Sequence, residues 1–171
     1  MMRAAEPAAE GLAMPLFAFA RTTCLIALAL AAAALPGRAA AQVIDRCGRM
    51  ASPASIAEPW AQYSRRFANG AIRIALLDTG GEPVCCAVHL LILSPMPEGP
   101  GRQCHVASDA PGTGFLDIDF DGIESSYDPA RGLGLDVPVS RWDPGAETGG
   151  VGVGDRMTIR INQATGAVTV E

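Results

Sequence analysis

The fold turns on the stretch Leu116-Asp117-Ile118-Asp119-Phe120-Asp121-Gly122-Ile123, which continues to Tyr127, and on its return Leu133-Gly134-Leu135-Asp136-Val137-Pro138-Val139. Leu116, Ile118 and Phe120 are apolar at even positions, whereas Ile123 and Tyr127 carry the pattern on at odd ones. Alternation with period two is the mark of a strand with one buried face, and a change of parity beside a glycine is what a β-bulge produces. Asp128-Pro129-Ala130-Arg131-Gly132 has the composition of a turn with proline at its second position. Pairing Tyr127 with Leu133 and Ile123 with Val137 sets Phe120 opposite Val139 if one extra residue is absorbed near Asp121. Leu133, Leu135, Val137 and Val139 then face inward, and Pro138 points outward, marking an edge strand or a local interruption.

The same period recurs on both sides of this hairpin. Ile72, Ile74 and Leu76 alternate with Arg73, Ala75 and Leu77, and Met157, Ile159 and Ile161 alternate with Arg156, Thr158 and Arg160. Val84 to Leu93 is nearly all apolar, as in a central strand covered on both faces, and a shorter strand is predicted around Gln103 to Ala107. Gln163-Ala164-Thr165-Gly166 turns the chain into a last strand with Val168 and Val170 inward. Ser55-Ile56-Ala57-Glu58 has the form of a capping box. Ile56, Trp60, Tyr63 and Phe67 follow at helical spacing, which predicts one amphipathic helix with Pro59 in its first turn. The fold class expected is mainly β, at the border of α+β. It is an antiparallel sandwich or curved meander of about seven short strands, with one N-terminal amphipathic helix packed on it.

The chain of 171 residues is 49% apolar and 18% charged, with a net charge of −5 in which all thirteen basic residues are arginine. Near its start, Arg21 precedes the apolar run Cys24 to Leu35, the breaker Pro36-Gly37 and the small residues Ala39-Ala40-Ala41. This pattern predicts a signal peptide over residues 1–41, cut between Ala41 and Gln42, with Met14 as a second possible start. As a membrane anchor the run is short: it rises about 18 Å as a helix, against a hydrocarbon core of roughly 30 Å. Residues 42–171 are then one disulfide-stapled β-rich domain, periplasmic or secreted, with no membrane span. Ten arginines against sixteen carboxylates give it a net charge of −6. Such a balance disfavours nucleic acid and anionic lipid.

Four cysteines remain there: Cys47, Cys85, Cys86 and Cys104. An even count in an exported chain predicts two disulfides, and with no C-x-x-C pair a zinc site is disfavoured. If Cys85 and Cys86 lie in a strand their side chains point to opposite faces, so each is expected to bond elsewhere, one to Cys47 and one to Cys104.

Asp117, Asp119 and Asp121, followed by Gly122 with Asp128 at the twelfth place, match the opening of a calcium loop. The intervening Ile118 and Phe120 favour instead a strand with three carboxylates on its solvated face. His89 and His105, the only histidines, would stand across from one another in a hairpin centred on Pro97, where either with an aspartate could do acid–base work. His89, inside an apolar run, reads better as a core residue. No G-x-S-x-G elbow is present, and Gly149 to Asp155 fails the phosphate-binding fingerprint. The functional expectation is a non-catalytic exported module without cofactor or metal, contacting an unidentified protein or envelope ligand. Its binding residues would be Asp117, Asp119, Asp121 and Trp142. A calcium-stabilised domain and a small periplasmic hydrolase with a His/Asp pair are the alternatives.

Overall fold

The computed structural model describes residues 41–80, 85–145 and 151–171. The predicted signal peptide, apart from Ala41, lies outside these residues, as do positions 81–84 of one turn and 146–150 of the glycine-rich loop.

Among the described residues ten strands form two antiparallel sheets. The first contains β1 (Val43–Arg46), β2 (Ser64–Phe67), β3 (Ile72–Asp78), β4 (Val88–Pro95) and β5 (Arg102–Ser108), in the order β1-β5-β4-β3-β2. The second contains β6 (Asp117–Ile118), β7 (Glu124–Asp128), β8 (Gly132–Asp143), β9 (Val151–Ile161) and β10 (Val168–Val170), in the order β10-β9-β8-β6, with β7 also on β8. The alternating residues close one core between the sheets: Ile72, Ile74, Leu90 and Ile92 from the first meet Leu135, Val137, Met157 and Ile159 from the second. Each such side chain, fully buried, contributes roughly 1.5–3 kcal/mol relative to exposure. The mainly-β sandwich expected from the alternation is the fold observed.

The helix expected from Ser55 onward is absent. Residues 53–55 make a single 3-10 turn, Ile56 bridges to Leu77, and Ser64–Phe67 is the edge strand β2. Proline explains the failure. With Ser55 as cap, Pro59 is the fourth helical residue, the first whose N–H must donate inside the helix, and it has none. The residue before it, Glu58, is also pushed out of the helical region, and the Glu58–Pro59 peptide is cis. Tyr63 and Phe67 still pack against the core, but from a turn and a strand.

The hairpin that decided the fold has the predicted far end: Tyr127 opposes Leu133 and Glu124 opposes Asp136. Beyond it the shift is larger than predicted, because Ile118, rather than Phe120, opposes Val139. From Ile118 to Glu124 one strand advances six residues while β8 retreats three, from Val139 to Asp136, so three extra residues are absorbed instead of one. A turn closed by a side chain makes room for them: the Gly122 N–H donates to Asp119 Oδ1 at 3.0 Å. Phe120 and Ile123 remain buried across the excursion. Pro138 sits in central β8 opposite this gap, where its carbonyl accepts from the Asp119 N–H, so the missing proline donor leaves no partner unmatched. It marks a local interruption and not an edge. Tyr127, expected inward, is 68% exposed at the far end of the edge strand.

Candidate functional site

Strand β4 is apolar on both faces because both are covered. Its even residues enter the core between the sheets, while Leu91 and Leu93 point outward and form a second cluster with Ala75, Leu77 and Val106. The cover on this outer side is the segment after β1. Cys47, Ala51 and Ile56 lie against the cluster, Cys47 forms a disulfide with Cys104 with Cα atoms 5.3 Å apart, and the Ala57 N–H donates to the Leu76 carbonyl. The segment thus crosses the sheet as a strap, from β1 at one edge to the side of β3 at the other.

The strap leaves part of the outer face open. A groove of about 500 Å³ has Ala75, Leu91 and Leu93 as its floor, Ile56, Trp60 and Ala61 along the strap side, and Ser64, Arg65, Arg66 and Arg73 beside β2. Trp60 is 53% exposed. Arg66 and Arg73 are direct cross-strand partners, a position in which like charges destabilise a sheet. Neither has an ion pair among the described residues. Arg65, by contrast, faces the other side: it donates to the Asp121 and Ile123 carbonyls, pairs with the Asp121 carboxylate at 3.3 Å and lies 5.2 Å from the Phe120 ring centre. The lining contains no imidazole, thiol or carboxylate, and its one hydroxyl, Ser64 Oγ, donates to the Trp60 carbonyl at 2.6 Å. The lining thus combines an apolar floor with guanidinium groups at its margin.

The residues singled out in the sequence are placed elsewhere. Asp117, Asp119 and Asp121 are exposed beside buried Ile118 and Phe120, the solvated face expected of them. Asp119 is engaged by Gly122 and Asp121 by Arg65, and no three carboxylate, imidazole or thiolate side chains gather into a metal-binding group among the described residues. Trp142, at the end of β8, is 40% exposed on the rim of a second cavity of about 420 Å³ that also includes Cys85, Cys86, His89, Asp109 and Thr113. Asp109 is ion-paired with Arg141.

The pairing of the cysteines differs from expectation. Cys47 joins Cys104, and Cys85 joins its neighbour Cys86, with Cα atoms 3.7 Å apart. The premise of a strand fails here because Cys86 has φ +76° and β4 starts only at Val88. The two histidines are also apart: Ile92 opposes His105, and the β4–β5 turn lies beyond Pro97, since Pro95 opposes Arg102. His89 and Ser108 are each 2% exposed, with His89 Nδ1 2.8 Å from Ser108 Oγ. Burial pushes the His89 imidazole below its ordinary pKa, and burial, then the nearby Arg46, does the same to His105. This is the hydrogen-bonded core histidine expected at position 89.

Sequence reading missed the groove because its walls come from the segment read as a helix. The available signal was the arginines, Arg65-Arg66 and Arg73, clustered in an acidic chain. Comparison with family models, curated proteins and solved structures finds no match.

Proposed function

We propose that this chain is an exported, non-catalytic binding module whose ligand sits in the groove on the outer face of the first sheet. The observation that carries this reading is an apolar concavity of about 500 Å³ beside two arginines that have no acidic partner among the described residues. That volume falls within the range of small-molecule sites. Export is supported by the two disulfides, which persist in oxidising compartments, and by the leader-like pattern over residues 1–41. Among the described residues no helix is long and apolar enough to cross a membrane. Trp142 and the aspartates at 117, 119 and 121 form a second contact surface in this reading.

The groove is tested with the fluorescent probe anilinonaphthalene sulfonate on the oxidised protein. Emission rises with wild type, and Ala75→Trp, which fills the floor, abolishes the rise while near-ultraviolet dichroism stays native. Ser64→Trp, at the more exposed margin, is the second blocking variant should Ala75→Trp fail to fold. No binding by wild type, or equal binding by a folded blocking variant, overturns the site. Export is tested by fractionation: a product beginning at Gln42 outside the inner membrane is expected, and an unprocessed cytosolic chain with four reduced thiols at those positions overturns it.

A further inference from the structure

We infer that the groove selects a carboxylate carried on a single apolar tail, Arg66 and Arg73 holding the head while the tail lies over Ala75 and Leu91 against Trp60. This rests on the groove being a binding site and adds the class of ligand.

Three observations lead to the head group. Arg66 and Arg73 are opposed in register, which brings their Cβ atoms to about 5 Å and lets both guanidinium groups converge on one anion. Five other arginines pair with carboxylates, Arg65 with Asp121, Arg156 with Asp136, Arg160 and Arg131 with Glu171, and Arg141 with Asp109 and Asp155; Arg46, Arg49 and Arg102 form no ion pair among the described residues, but only Arg66 and Arg73 are directly opposed to one another in a sheet. The groove's pair lacks such a partner among the described residues although the sequence from Gln42 carries net charge −6. Two like charges left face to face are relieved by an anion between them, and the planar fork of arginine matches a carboxylate with two parallel hydrogen bonds. A cationic head is disfavoured, because the lining supplies no carboxylate.

The tail follows from the floor. Ala75 and Leu91, cross-strand partners, form a nearly buried apolar surface, and the small Ala75 side chain leaves room above it in the groove that Trp60 and Leu93 also line. Apolar contact supplies affinity in proportion to the area covered, without direction, whereas the guanidinium pair fixes which end of the ligand lies where.

Titration calorimetry with decanoate, decanol, decyltrimethylammonium and acetate, each below its micellar concentration, tests the assignment. Decanoate binds at least about tenfold more tightly than decanol, and neither acetate nor the ammonium binds measurably. Arg66→Gln/Arg73→Gln lowers decanoate affinity to the level of decanol and leaves decanol unchanged. The wild-type preference shrinks as salt rises, a response that a purely structural role for the arginines would not give. A Trp142→Phe background leaves Trp60 as the sole tryptophan, so a change in its emission on adding decanoate locates the ligand. Equal affinity for decanoate and decanol, or a double variant that keeps the preference, overturns the head-group assignment while dye binding blocked by Ala75→Trp leaves the groove standing. Failure of the dye to bind removes both.

Discussion

The middle of the first sheet, strand β4, is apolar on both faces, yet the two sides are finished differently. The inner side meets a whole second sheet, and Phe115, Leu135, Met157 and Ile159 are sealed there. Among the described residues the apolar cluster of the outer side is covered by the strap of Cys47, Ala51 and Ile56, held by the Cys47–Cys104 bridge. A sheet facing a sheet interlocks along its full length; a strap of irregular chain covers a stripe and leaves a margin. The open margin is therefore a product of topology, and it is where an apolar site can exist without breaching the core.

The sharpest way to break this contrast is to cut each side in turn. Phe115→Ala in the inner core should cost about 3–5 kcal/mol, read from urea denaturation, and a loss below that of an outer-face truncation would deny the ranking. Next comes the strap: replacing Cys47 and Cys104 together by serine opens a loop with sequence separation 57 and should cost about 2–4 kcal/mol. Amides of β1 should lose hydrogen-exchange protection more than those of β8; a uniform loss would mean the bridge does not hold the strap locally.

A smaller effect separates the two histidines from the rest. Their folded-state pKa values are depressed, so the unfolded chain takes up protons first as the solution is acidified. Their contribution to stability is complete above about pH 6.5 and declines below it. The melting temperature should fall by a few degrees between pH 7 and pH 5, above the usual carboxylate range, and His89→Gln should lessen that fall. A flat profile over this interval would contradict the placement of His89. The smallest effect concerns the acidic hairpin: with Asp119 and Asp121 already engaged separately, melts in calcium and in chelator should coincide. A rise of several degrees with calcium would instead support an ion at Asp117, Asp119 and Asp121.

The inner side was legible because alternation reports burial directly. Ile72, Ile74 and Leu76, and likewise Met157, Ile159 and Ile161, can satisfy period two in only one way. Even the parity change at Gly122 was visible, although its size was not: a turn closed by the Asp119 carboxylate accommodates three residues as readily as a bulge accommodates one. The outer side was obscured by a coincidence of spacing, since Ile56, Trp60, Tyr63 and Phe67 match a helix in a segment that Pro59 prevents from becoming one. The groove inherits that difficulty. Its floor, Ala75, Leu91 and Leu93, was correctly read as strand, but what stood over it depended on the misread segment. Trp142, named from the sequence as a binding residue, is 40% exposed; its neighbourhood includes an adjacent-cysteine bridge that extended geometry would have forbidden.

The strap also constrains the order of assembly. β1 and β2 occupy opposite margins of their sheet, yet they are the first two strands to leave the ribosome. β2 finds its partner in the next strand, β3, whereas β1 has none until β5, the last strand of that sheet. The layer can therefore grow in chain order from β2 to β5, while β1 and the girdle can be latched across it only once β5 and Cys104 are in place.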